Sequence, residues 1–251
     1  MYQIPMGTFQ YMLRPYDNLW QLAQQYNTSV DAIAAINPGM NPNQLYIGQP
    51  IYICPGLKQS SQDTGLNPVP VCISKVEVDL SNTMRMLWEQ HVAWTRMTII
   101  SMVENLPDVD VVTKRLLRNP ADFEAALRPY YGNEKAAKFA SLFKDHLIIA
   151  ALLVKAAKAG DSKAAADAEK KWYTNADDIA AYLNSINPYW QKDGLTKMLY
   201  DHLAMTKSEA VLQISKDYSA SIAEYDKIEQ QALEMADAFT DGIVKQFPDK
   251  F

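Results

Sequence analysis

Residues 9–54 read FQYMLRPYDNLWQLAQQYNTSVDAIAAINPGMNPNQLYIGQPIYIC, and their punctuation spells out strand, helix, helix, strand. Phe9 to Arg14 alternates as a short strand does, and Pro15 ends it. Asp17 stands where an N-cap is wanted for a helix over about 18–26, whose inner face carries Leu19, Leu22 and Ala23. Asn27 and Thr28 break that helix. Thr28 or Ser29 caps a second one, with Asp31 in its first turn and Val30, Ile33 and Ala34 as its buried stripe. Asn37-Pro38-Gly39 stops it, because proline cannot continue a helix and glycine takes turn dihedrals. A loop rich in Asn, Pro and Gly leads to Pro50–Cys54, a second strand able to pair with the first.

This arrangement resembles the LysM family. The matching residues are Tyr11, the run Pro15-Tyr16-Asp17-Asn18-Leu19-Trp20, the cap Thr28-Ser29-Val30-Asp31, Ile33, Asn37-Pro38, Leu45, Gly48-Gln49 and Ile51 to Ile53. The resemblance implies a two-stranded antiparallel sheet with two helices on one side. It also implies a ligand, peptidoglycan or a chitin-like N-acetylglucosamine glycan. The sugar would lie in a shallow groove between Tyr16, Asp17, Asn18 and Leu19 on one loop and Ile36, Asn37, Pro38 and Gly39 on the other. Loop backbone can match the amide and carbonyl of an N-acetyl group, and Leu19 or Ile36 can cover its methyl. Where the family usually carries glycine this chain has Tyr16, read either as a ring for a sugar face or as a side chain that narrows the groove or covers the small core.

The chain has 251 residues, 48% hydrophobic and 21% charged, with net charge −5. Such mild acidity offers no electrostatic footprint for nucleic acid or an anionic membrane, and no apolar run is long enough to span a bilayer. Residues 1–7 carry neither a basic n-region nor an apolar h-region, so no signal peptide is expected. For a wall-binding module without a leader the expected location is a spore coat, spore cortex or cell-wall surface, with cytoplasm or virion as the alternative. Cys54 and Cys72 are the only cysteines; they are read as a disulfide or as two free thiols, and their spacing fits no zinc pattern.

A proline- and glycine-rich connector gives the expected division: 8–55 a small glycan-binding domain, 56–74 a linker, 75–251 a helical domain. Helices are expected over about 81–106 (capped by Ser81), 111–117, 120–128 (capped by Asn119), 134–159, 163–186, 191–215 and 218–246, with Ser74 to Asp79 as an extended lead-in. The last helix presents Ile222, Tyr225, Ala232, Met235, Phe239 and Ile243 on one face. The fold class is therefore an α+β small domain, LysM-like in its βααβ order, followed by an all-α antiparallel bundle. Residues 87–91 are echoed at 171–175, and 143–147 at 199–203, which reads as two hairpins related by a pseudo-twofold. The runs LWEQHVAWTR, RPYYG and KWYTNADDIA also resemble an uncharacterised helical family found beside LysM in spore-forming bacteria, which brings no activity with it.

His91, His146 and His202 fall in mid-helix on three helices, with Trp88 and Thr95 on the face of His91 and Thr206 on that of His202. They are the candidates for a metal site or an acid–base centre; the other reading is a hydrogen-bonded polar layer that fixes helix register. Neighbouring helical positions supply Asp145, Asp177, Asp178, Asp201, Asp226, Asp237 and Arg96. There is no Glu-x-x-His, no His-Glu-x-x-His, no Gly-x-Ser-x-Gly and no phosphate loop. No cofactor is expected beyond a metal at those histidines. The reading is a non-catalytic glycan-binding protein of a spore or wall layer, whose bundle assembles with other coat proteins or with itself. The alternative is a wall-modifying or metal-dependent enzyme centred on the histidines.

Overall fold

The computed structural model describes residues 7–56 and 74–251. The chain divides into two compact units, Met1–Asp79 with Asp249–Phe251, and Leu80–Pro248. Residues 57–73, which hold Cys72 and nearly all of the expected linker, lie outside the described residues.

In the small domain β1 (Phe9–Met12) pairs antiparallel with β2 (Pro50–Ile53), Tyr11 opposite Ile51. Two helices, α1 (Leu19–Gln25) and α2 (Val30–Ile36), pack with the sheet around Leu13, Leu22, Ile33, Ile51 and Ile53. So few residues bury little apolar surface, and small domains often need a covalent tie. Cys54, 1% exposed beside Ile36, is disulfide-bonded, which removes the free-thiol reading for that residue. In α2 the buried positions are Ala32, Ile33 and Ile36; Ala34 is only half-buried.

The remainder is helical: α3 (Lys75–Glu104), α4 (Val109–Leu116), α5 (Asn119–Lys158), α6 (Ser162–Ile186), α7 (Lys192–Ile214) and α8 (Tyr218–Gln246), with α5 on α6, α6 on α7 and α7 on α8 packing antiparallel. α3 begins six residues before Ser81. Ser74 Oγ accepts from Glu77 N at 3.0 Å, so Ser74-Lys75-Val76-Glu77 caps the helix, and the expected extended lead-in is helical. α5 breaks at Gly132 (φ 76°, ψ 173°), giving two segments much as the sequence suggests. On α8 Ile222 is exposed and Ser221 and Ile228 are buried in its stead.

The internal repeat is threefold, not twofold. Each repeat opens with a helix bearing one histidine: α3, the second segment of α5, and α7. These helices end alike, with Asn105, Gly160 and Lys216 at φ 55°, 71° and 62°. The next amide in each closes back across the turn, Leu106 N to Ser101 O at 2.9 Å, Asp161 N to Ala156 O at 3.1 Å and Asp217 N to Leu212 O at 3.0 Å. The layers match as well. Met84, Phe139 and Leu195 lie seven residues before the three histidines, Trp88, Phe143 and Leu199 three before, and Ile99, Val154 and Ala210 eight after; all nine are buried, and the last three pack as one cluster. Like layers in contact at both levels mean that the three histidine-bearing helices run in the same sense, each followed by an antiparallel partner.

Candidate functional site

The two loops that the LysM resemblance marks are both tight turns. Asp17 N reaches Arg14 O at 3.2 Å and Met40 N reaches Asn37 O at 3.0 Å. Each turn carries proline second (Pro15, Pro38) and a positive-φ residue third (Tyr16 at 72°, Gly39 at 90°), the type II pattern. Gly39 takes that conformation freely. Tyr16 does not, and a residue with a Cβ there is held at a cost of about 1–2 kcal/mol. Tyr16 is also 97% exposed, so it does not cover the small core.

Asp17 is not the helix cap. Its Oδ2 accepts from Arg14 N at 2.7 Å and Tyr11 Oη at 2.9 Å, which fastens the first turn to β1. Burial and the adjacent Asp17 carboxylate push the Tyr11 phenol up. Asn18 supplies the cap of α1, its Oδ1 accepting from Gln21 N at 2.9 Å, and Ser29 supplies that of α2 through Ala32 N at 3.1 Å. Asn37 is equally structural. Its Nδ2 donates to Ile33 O at 2.8 Å and Tyr52 O at 2.7 Å, and its Oδ1 accepts from Tyr52 N at 2.7 Å, so α2 is bolted to β2.

Leu19 and Ile36 are 4% and 1% exposed, each turned into the core, and neither side chain is free to cover a ligand methyl. The turns thus offer backbone polar groups, the Pro38 and Gly39 surface, and the Tyr16 ring. Sequence reasoning did not single out Trp20, Tyr46 and Ile47 for the site, yet they are 65%, 65% and 69% exposed. Tyr46 and Ile47 stand in a turn whose Gly48 N bonds Leu13 O at 2.7 Å, beside the start of the Tyr16 turn. Large apolar side chains left in solvent on so small a domain were the available signal.

The three histidines are each 2% exposed. Asn175 Nδ2 donates to Leu142 O at 3.1 Å, which leaves its Oδ1, 3.0 Å from His146 Nδ1, to accept that ring's proton. His146 Nε2 then accepts from Trp172 Nε1 at 3.1 Å. The next repeat does the same. Gln231 Nε2 donates to Met198 O at 2.9 Å, and its Oε1 takes the His202 Nδ1 proton at 3.1 Å. His202 Nε2 is left as an acceptor for His91 Nε2 at 3.3 Å. In the first repeat Asn119 Nδ2 donates to Leu87 O at 3.0 Å, so Asn119 ties α5 to α3 and does not cap α5. His91 Nδ1 and Asn119 Oδ1, the equivalents of the pairs just described, are buried without a partner. One proton per imidazole cannot serve both sides of His91, and its Nε2 bond to His202 takes that proton.

Burial holds all three rings neutral. It lowers His146 to about 3 and His202 to about 4, and His91 falls well below its ordinary value, with the two other imidazoles adding to the effect. Every ring nitrogen except His91 Nδ1 has a bonded neighbour, and among the described residues no group of three or more His, Cys, Asp or Glu is placed to hold a metal ion. His91, His146 and His202 form a polar layer in which a histidine and an amide side chain recur at equivalent positions of three hairpins, bonded to each other in two of them. The surrounding acids turn away: Asp237 pairs with Arg85, Asp201 with Lys197, and Asp177 accepts from Tyr200 at 3.0 Å. Arg96 instead meets Glu209 at 2.6 Å inside the bundle, where burial outweighs the guanidinium and raises the carboxyl to about 7.

Among the described residues no helix is long and apolar enough to cross a membrane. No curated protein and no solved structure matches the chain. The LysM domain model matches residues 11–53, so the paired turns around Tyr16 and Gly39 belong to a LysM domain, a module of the kind that binds peptidoglycan and other N-acetylglucosamine glycans.

Proposed function

We propose that this protein is a non-catalytic binding protein of a spore coat, spore cortex or cell-wall layer. Residues 8–55 hold the glycan, 56–74 link, and the bundle of 75–251 meets other coat proteins or a second copy of the chain. The observation that carries the reading is the pair of rigid turns, Arg14–Asp17 and Asn37–Met40, within a LysM domain. Asp17 and Asn37 are spent on holding the turns in place, which pre-organises the exposed backbone between them for an N-acetyl group. The Tyr16 ring supplies an apolar face in the same place. A strained, fully exposed aromatic is a costly residue to keep, and strain of that kind gathers at ligand sites.

The non-catalytic part of the reading is supported by the bundle's interior, where the histidines bond within the fold itself. An enzyme centred on the histidines would have to present an imidazole to substrate, and all three rings are buried, with every nitrogen but His91 Nδ1 bonded inside the bundle.

The test is co-sedimentation of the full chain with peptidoglycan, spore cortex and chitin, beside a Tyr16→Ser variant. The full chain is expected in the pellet, with the variant's apparent affinity about 3- to 10-fold weaker. A full chain that stays in the supernatant with all three glycans defeats the proposal. Glycan that dissolves during the incubation revives the enzyme.

A further inference from the structure

One turn beyond the histidine layer the bundle is not filled. The positions four residues after the histidines are Thr95, Ala150 and Thr206, and all three line a cavity of about 350 Å³. The three equivalent helices thus enclose it on the same internal axis as the histidines. Its walls are aliphatic and small, Ala151, Val154, Ala165 and Ala210 among them, with Trp172 at the side nearest His146. The cavity exists because α5 and α6 present alanines where larger side chains would close the gap. Exposed lining residues Gly160, Ser162 and Val211 mark where it opens to solvent.

Two features give this space the character of a binding site. An apolar void of such size is costly to leave unfilled and has few groups to hold water. Yet the Oγ1 atoms of Thr95 and Thr206 are buried there with no hydrogen-bond partner, although threonines in helices can satisfy themselves on a carbonyl one turn back. Thr206 as a whole is 5% exposed. The charged lining residues, Glu169 and Lys207, neutralise one another, Lys207 Nζ lying 2.6 and 2.7 Å from the two carboxylate oxygens. A charged ligand would have to break that pair.

We infer that the cavity binds an uncharged, mainly aliphatic small molecule with one hydroxyl or carbonyl group, which meets the threonine hydroxyls while its chain lies against the alanines. The volume falls within the ordinary range for a small-ligand pocket, as does a lining that is apolar except for a few placed polar groups. The inference is independent of the glycan-binding proposal, since it concerns the bundle alone.

The full chain titrated with N-phenyl-1-naphthylamine, an uncharged apolar fluorophore, is expected to give saturable enhancement at one site. 1-Decanol should displace the probe at least tenfold more effectively than decanoate. Ala150→Phe and Ala210→Leu fill the space from two helices, and each is expected to abolish saturable binding while keeping the wild-type circular dichroism spectrum. No saturable signal from the wild type, or binding undisturbed in both filled variants, overturns the inference. A cavity able to hold a ligand has room for an added side chain, so failure of both variants to fold would overturn it equally. Decanoate matching decanol would refute the uncharged ligand.

Discussion

Tyr16 is the residue on which the small domain's chemistry turns. It occupies a left-handed position in a turn that asks for glycine, so Tyr16→Gly should stabilise the domain by about 1 kcal/mol, read as a higher denaturation midpoint. The same change removes the ring, so binding to glycan should weaken as stability rises; tighter binding would show that the ring only obstructs the groove. In the bundle the corresponding test is Arg96. Arg96→Met strands Glu209 in the interior and should cost about 3–5 kcal/mol near pH 8. With the guanidinium gone the carboxyl is raised further and takes a proton more readily as pH falls, so the loss should shrink toward acid, a dependence readable in urea titrations at pH 8 and pH 5.5. Neither role was legible in the sequence. Asp17 looks like a cap because it precedes a helix by two residues, but the turn before it supplies nearer donors, and Asn18 is better placed for the helix amides. Ile36 sits beside a loop in sequence, and only the fold shows that it points inward, against Cys54.

At the scale of elements, boundaries followed local punctuation closely where Pro, Gly and Asp mark them. Asp161 and Asp217 cap α6 and α8 through Ala164 N and Ala220 N at 2.9 and 3.1 Å. The miss at the start of α3 has a simple cause: the Ser74 capping box adjoins a connector whose composition masked it, and Ser74→Ala should cost about 1 kcal/mol. The repeated helix ends give a second prediction. Lys216 stands where Gly160 stands in the preceding hairpin, so Lys216→Gly should stabilise the bundle by about 1 kcal/mol, measured as a raised denaturation midpoint. Gly242 is the opposite case. A Cβ there would overlap the Trp190 indole, whose Nε1 is tied to Ala238 O at 3.1 Å, so Gly242→Ala should destabilise by about 1–3 kcal/mol.

For the molecule as a whole, the sequence offers two readings of the histidines, and the repeat supports the polar layer. Histidines spaced 55 and 56 residues apart, with an amide side chain 28 or 29 residues beyond each, carry the threefold pattern; the twofold reading aligned the wrong pair, setting His91 against Asn175. The layer makes the bundle acid-sensitive. A histidine whose folded pKa is lowered contributes stability that is complete above its unfolded value, about 6.5, and is lost as pH falls toward the folded value. With folded values of about 3 and 4, His146 and His202 should each cost about 2 kcal/mol between pH 8 and pH 5. Glu209, whose folded pKa is raised to about 7, works the other way and offsets part of this, since its contribution is lost as pH rises. Urea titrations across that range should show a net fall in stability toward acid, and a flat profile would contradict the buried neutral layer.

Recognition of N-acetylated glycan by the two turns of the LysM domain can be measured by calorimetric titration of the full chain with an N-acetylglucosamine tetramer and with its de-N-acetylated counterpart. Saturable heat is expected from the first, at least tenfold weaker binding of the second, and weaker binding of both after Tyr16→Ser. Equal binding of the two oligomers, or no binding of either, would contradict it.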